Sequence, residues 1–137
     1  MTLLSNETIR IMREQDVVVL LSRLRDHSAQ AGLRLLNQTK LLTAASELAR
    51  NMLRYASGGQ ATIEPLVKNA RKGVKITFLD EGPGIPDIQQ AMTGGFSTGN
   101  GLGLGLPGAK RLVNEFDIQS KPGRGTCITI IQWQDGY

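Results

Sequence analysis

The chain has 137 residues and a formal net charge of +4, from 16 Lys+Arg against 12 Asp+Glu, a length that suits one domain and is short for two well-built ones. Residues 1–60 carry 8 basic and 5 acidic groups and residues 61–137 carry 8 and 7, and no aromatic sits in a basic cluster, which argues against a nucleic-acid stacking platform. The longest aliphatic run, Val17–Leu21, is far below the roughly 20 residues of a bilayer span, the first residues lack a secretory pattern, and a lone Cys127 has no partner for an internal disulfide, so the expectation is a cytoplasmic globule.

Thr8-Ile-Arg-Ile-Met-Arg reads as a short strand with Ile9 and Ile11 on one face. Asp16 is a suitable N-cap for a helix with apolar positions Val17, Leu20, Leu21, Leu24 and Ala31, ended by Gly32. The Val17-Val18-Val19 triplet fits a strand start equally well. His27 falls on the Leu20/Leu24 side of this helix, where a histidine at the rim of the core is expected, because no Cys, Asp or second His stands at metal spacing. A second helix is expected from about Thr39 to Tyr55, stopping at Gly58-Gly59. Its apolar stripe is Leu41, Leu42, Ala45, Leu48, Ala49, Met52 and Leu53, and Glu47 and Asn51 are neighbours one turn apart on the other side.

Strands are expected at Ala61-Thr-Ile-Glu and at Val74–Asp80, where Val74, Ile76, Phe78 and Asp80 share a face, with turn residues Asn69 to Gly73 between them. A glycine-rich stretch over 82–105 precedes a helix from about Leu104 to Glu115. The end reads as a hairpin of Asp117–Ser120 and Cys127–Trp133 around Lys121-Pro-Gly-Arg-Gly125. Strands joined by short turns favour an α+β layer, helices on one face of a sheet, over a doubly wound parallel sheet.

Two familiar nucleotide signatures fail. No Gly-Lys pair exists for a Walker loop. The formal GxGxxG at Gly103-Leu-Gly105-Leu-Pro-Gly108 follows a glycine-rich loop rather than a strand, and its next acids, Glu115 and Asp117, come too soon for a Rossmann site. Four pieces remain in order: Glu47-Leu-Ala-Arg-Asn51 on a helix, Asp80-Glu-Gly-Pro-Gly84-Ile85 at a strand end, Gly99-Asn-Gly101-Leu102-Gly103-Leu104-Gly105 opening a helix, and Gly125-Thr126 entering a strand. Singly, each has a bland explanation: Glu47 pairing with Arg50 or Arg54, an ordinary turn, a connector, a hairpin exit.

Jointly, they resemble the N, G1 and G2 boxes of the GHKL ATPase superfamily with its Bergerat fold, across Glu47 to Thr126. The Ser46-Glu-Leu-Ala-Arg-Asn stretch and the short loop between boxes look most like the anti-sigma serine kinases, in their RsbT branch. The resemblance implies a two-layer α/β sandwich, a mixed sheet covered on one face by helices. It gives Asp80 the adenine amino group, with Thr126 in support, and an unpaired carboxylate at an apolar strand end suits such a donor. Gly82, Gly84 and Ile85 would pass close to the base. Gly99, Gly101, Leu102, Gly103, Leu104 and Gly105 would contact phosphate through main-chain N–H groups at a helix start. Residues 87–105 contain no Lys or Arg, so a divalent ion would balance the triphosphate. Asn51 matches the Mg²⁺ ligand, and Glu47 matches the carboxylate that orients or deprotonates the attacking hydroxyl.

The Phe96-Ser97-Thr98 stretch between glycines reads as a mobile lid tip. The implied activity is ATP-dependent phosphorylation of a serine on a STAS-domain antagonist, with a PP2C-type phosphatase as second partner. The alternative is an ATP-bound module that sequesters a sigma factor or phosphatase with little turnover. Ile9 and Ile11 also offer an edge strand for pairing with a second copy.

Overall fold

Period-two alternation of apolar residues in five segments sets one buried sheet face. The computed structural model describes residues 5–85, 92 and 105–136. Its elements in chain order are β1 (Glu7–Ile11), α1 (Glu14–Gln30), α2 (Leu35–Ala56), β2 (Gly59–Lys68), β3 (Arg71–Asp80), α3 (Gly105–Leu112), β4 (Glu115–Lys121) and β5 (Gly125–Trp133). The strands lie in the order β1-β2-β3-β5-β4. Ile9 pairs with Ala61, Ala61 with Phe78, Phe78 with Ile128, and Ile128 with Ile118. One transverse row of apolar side chains thus crosses all five strands, and Ile63, Ile76, Ile130 and Phe116 form the next.

The helices cover this face. Val17, Leu20 and Leu24 of α1, Leu41, Ala45, Leu48, Ala49 and Met52 of α2, and Ala109 of α3 are buried with Ile63, Ile76, Phe78 and Ile130 in one core. Full burial of side chains of this size contributes about 1.5–3 kcal/mol each. The two-layer α+β arrangement is as read from the sequence, with a correction to the sheet: all four described pairings are antiparallel, so it is not mixed. The cause lies in the connections. β4 runs in the same sense as β3, but the tight turn after it returns β5 into the gap between them. The two like-directed strands therefore never pair.

Other boundaries shift for local reasons. Asp16 is not the N-cap of α1. It sits at the third helical position and its carboxylate reaches back to accept the N–H groups of Met12 (2.8 Å) and Arg13 (3.0 Å), so the helix begins earlier, with Arg13 at the cap. Those bonds, Met12's first, hold the Asp16 carboxyl below its ordinary range. α2 begins at Leu35, ahead of the expected Thr39, and its exposed first turn, Leu35 and Leu36, falls outside the apolar stripe. The β2–β3 turn is tighter than expected, with Asn69 and Ala70 both at positive φ. Gly73 lies within β3, where an added Cβ would stand 2.6 Å from the Trp133 ring.

Edge strand β1 is tied to α1 by charge. The Glu7 carboxylate accepts bonds from Arg23 Nε (3.0 Å), Arg23 Nη2 (2.5 Å) and His27 Nε2 (2.9 Å). His27 is the core-rim histidine expected, only 2% exposed. Arg23's hydrogen bonds, aided by His27 and opposed by burial, hold the Glu7 carboxyl down at about 2. No helix among the described residues is long and apolar enough to cross a membrane.

Candidate functional site

Glu47 and Asn51 lie one turn apart on α2, both half-buried. The bland pairing of Glu47 with a neighbouring arginine is absent: Arg50 donates to Glu14 Oε1 (2.9 Å) and to Ser46 Oγ, and Arg54 stacks over the Tyr55 ring. Among the described residues, neither the Glu47 carboxylate nor the Asn51 amide makes a side-chain hydrogen bond or ion pair. A carboxylate and an amide left unengaged while their arginine neighbours are tied elsewhere are available to a ligand.

Asp80 ends β3 directly opposite Thr126, near the start of β5. Its Oδ1 accepts the Gly82 N–H (2.9 Å), and Oδ2 takes no hydrogen bond among the described residues. The turn it caps lies on the last turn of α2, since a Cβ at Gly82 would stand 2.5 Å from Ala56 Cβ. Asp80 and Gly82 are therefore delivered to the same end of α2 that carries Asn51.

The segment after Asp80 is stitched to the β4–β5 hairpin. Gly123 N–H donates to Pro83 O (2.7 Å), and Ile85 N–H donates to Ser120 Oγ (2.7 Å). Ser120 Oγ also donates to Gly125 O (3.0 Å) and lies 2.9 Å from the hydroxyl of buried Thr126. Two glycines make this approach sterically feasible. Gly84 (φ +78°) passes over the Lys121 carbonyl and Gly125 (φ +87°) over the Asp80 carbonyl, and a Cβ at either would overlap backbone.

Gly105 opens α3 at φ +53°. Gly99, Gly101, Leu102, Gly103 and Leu104 lie outside the described residues, as does the Phe96–Thr98 segment read as a lid tip. Lys110 and Arg111 occupy the last turn of α3, the end remote from Gly105. The structure thus brings together Asp80, Gly82, Gly84, Ile85 and Thr126, and sets them against the end of α2, the helix of Glu47 and Asn51. Sequence reasoning missed Ser120. Strand alternation places it on the face of Phe116 and Ile118, opposite Thr126, and that pairing across the turn was its only signal.

Comparison with known proteins agrees with this frame. Residues 36–135 match the family model described as histidine kinase-, DNA gyrase B-, and HSP90-like ATPase. The chain is 47% identical over 125 residues to the serine/threonine-protein kinase RsbT of Bacillus subtilis, covering 91% of this chain and 94% of that protein. It is 32% identical over 95 residues to the anti-sigma F factor of Bacillus licheniformis, covering 66% and 65%. A crystal structure of the RsbU and RsbW domains of Rv1364c from Mycobacterium tuberculosis superposes with a TM-score of 0.65 at 18% identity, over 94% of this chain and 32% of that one, a likeness of fold alone. With the matched segment running from the first turn of α2 to just past the end of β5, this chain belongs to the family of histidine kinase-, DNA gyrase B- and HSP90-like ATPases.

Proposed function

We propose that this chain is a protein-serine/threonine kinase that transfers the γ-phosphoryl group of ATP to a serine of a partner protein. The observation that carries the reading is the Asp80–Thr126 pair: a carboxylate with one oxygen fixed by Gly82 and the other unengaged, directly opposite a buried threonine. Such an acceptor fits the 6-amino group of adenine, and a 6-oxo purine would face it with a second acceptor. The 47% identity to a protein-serine/threonine kinase over nearly its whole length supports the activity.

In this reading Gly82, Gly84 and Ile85 line the base. Main-chain N–H groups of Gly99, Gly101, Leu102, Gly103, Leu104 and Gly105 receive the phosphates. The Asn51 side-chain oxygen is a hard ligand suited to Mg²⁺, which supplies positive charge against the triphosphate. Glu47, a turn before Asn51, orients the incoming serine hydroxyl and takes its proton as the new P–O ester bond forms and the bond to the β,γ-bridging oxygen breaks. Most of the rate comes from positioning and charge stabilisation, so Glu47 need not be a strong base.

The acceptor in this reading is a STAS-domain antagonist of a cytoplasmic partner-switching pathway. Addition of about −1.5 to −2 charges would break its interface with the kinase and release this chain to activate a PP2C-type phosphatase. β1, an edge strand of the sheet, offers backbone for a homodimer. The similarity to an anti-sigma F factor favours a second reading, nucleotide-dependent sequestration with little turnover. Incubation with γ-labelled ATP, Mg²⁺ and a STAS protein tests both. Label on a partner serine, lost with Asn51→Ala, is expected. No label, with Asn51→Ala indistinguishable from wild type, would refute the kinase. Regulation that survives Glu47→Ala would favour sequestration.

A further inference from the structure

Ser120 Oγ has one proton and two lone pairs, and three neighbours surround it. Gly125 O, at 3.0 Å, can only accept. Ile85 N–H, at 2.7 Å, can only donate. Making all three contacts at once puts the serine proton on Gly125 O and gives one lone pair to Ile85. The third contact, to Thr126 Oγ1 at 2.9 Å, closes only if Thr126 is the donor. Thr126 is buried and its hydroxyl makes no other hydrogen bond among the described residues.

The Thr126 proton is thus directed at Ser120, away from Asp80's side of the pair. What Thr126 offers to a ligand is oxygen lone pairs. Asp80, paired directly with Thr126 across β3 and β5, offers carboxylate lone pairs. The edge they make consists of acceptors only, and it matches a group that brings hydrogens. Were the Thr126 hydroxyl free to rotate, it would serve an amino group or a keto oxygen equally well, and half of the selectivity would vanish.

We infer that Ser120 is a positioning residue for base selectivity: by taking the Thr126 proton, it holds the Asp80–Thr126 edge in an acceptor-only state that admits a 6-aminopurine and rejects a 6-oxopurine. The inference deepens the reading of the Asp80–Thr126 pair as an adenine site and rests on it. Ser120 touches no substrate. It acts through Thr126, and through Ile85 it also ties down the loop. Those two actions have different signatures. Loosening the loop weakens every purine nucleotide alike, whereas freeing the Thr126 proton helps a 6-oxo base relative to a 6-amino base.

The test is calorimetric binding of Mg-ATP and Mg-ITP, which differ at the purine 6-position and the N1 proton that accompanies it, to the full chain and its variants. Wild type is expected to prefer ATP by at least about tenfold, in line with the cost of an unmatched buried acceptor pair. Ser120→Ala should narrow that preference about five- to tenfold, and Ser120→Thr, which keeps the hydroxyl, should restore it. Circular dichroism and thermal melting establish that each variant is folded. If Ser120→Ala does not fold, Ser120→Cys, similar in size but a poor acceptor, takes its place with the same expectation. Parallel loss of ATP and ITP binding, with an unchanged ratio, would make Ser120 a loop anchor only and overturn the inference. A wild type that binds both nucleotides equally would overturn it too. A folded wild type that binds neither would instead sink the adenine-site reading beneath it.

Discussion

Gly123 and Gly125 flank one residue in the β4–β5 turn and share nearly the same backbone, φ +77° and +87°, but not the same neighbours. A Cβ at Gly123 meets nothing within 4 Å, while one at Gly125 overlaps the Asp80 carbonyl and stands 2.9 Å from Glu81 Cα. Alanine at either site bears about 1–2 kcal/mol for a left-handed conformation, offset by about 0.4–1 kcal/mol from a less free unfolded chain. Gly123→Ala should therefore cost about 1 kcal/mol. Gly125→Ala adds about 1–3 kcal/mol for displacing packed backbone, giving about 3 kcal/mol and a melting temperature lower by roughly 10 °C. The displaced backbone is that of Asp80, so the strand pair opposite Thr126 must open. Nucleotide affinity, measured by calorimetry well below the melting temperature, should fall at least about tenfold for Gly125→Ala and stay within about twofold for Gly123→Ala. Equal losses of stability or of affinity at the two sites would refute the argument that close approach, rather than backbone conformation, makes Gly125 necessary.

Gln132 is fully buried, accepts the Asn114 N–H (2.8 Å) and donates to the carbonyls of Leu112 (3.3 Å) and Asn37 (3.4 Å). Gln132→Leu, similar in volume, should cost about 2–3 kcal/mol in urea unfolding from the loss of these three buried hydrogen bonds, and a loss under about 0.5 kcal/mol would refute that assignment. The Glu7 carboxyl is lowered from 4.5 to about 2, so its contribution is complete above about pH 4.5 and disappears as pH falls toward 2. The Glu7 and Arg23 side chains are 30% and 34% exposed, and solvent screening reduces that contribution to about 0.5–1 kcal/mol. The unfolding free energy should therefore fall between pH 5 and pH 2.5 by most of that amount less in Glu7→Gln than in wild type, and equal falls would count against the ion cluster.

Much of this architecture was legible because the signals were periodic. The α2 stripe from Leu41 to Met52 and the alternation through Val74, Ile76 and Phe78 mark their buried faces directly. The misreadings came where a side chain worked backwards or where pairing decided the outcome. Asp16 has the chemistry of a cap but uses it from inside the helix. Leu35 and Leu36 are apolar yet exposed, so the apolar stripe does not announce the helix start. Whether β4 or β5 lies beside β3 cannot be decided by either strand's own pattern, because both alternate well, and the sheet's antiparallel character depends on that choice. Ser120 was hidden for the same reason, since its importance comes from facing Thr126 across a turn.

That pairing also explains how residues as far apart in the chain as Ala56 and Thr126 come to one end of the sheet. β3 leaves the sheet at Asp80 and β5 enters it at Gly125, and because the two are antiparallel neighbours, exit and entry fall at the same end of the sheet. The β4–β5 turn must then lie against the segment leaving β3, as the Gly123–Pro83 and Ser120–Ile85 bonds record. α2 runs across the sheet to end at this same edge, where Ala56 meets Gly82. Had β4 taken the place beside β3, Thr126 would have stood one strand further from Asp80. The strand order itself creates the crowding here, and the glycines at 82, 84 and 125 are what that crowding requires of the sequence.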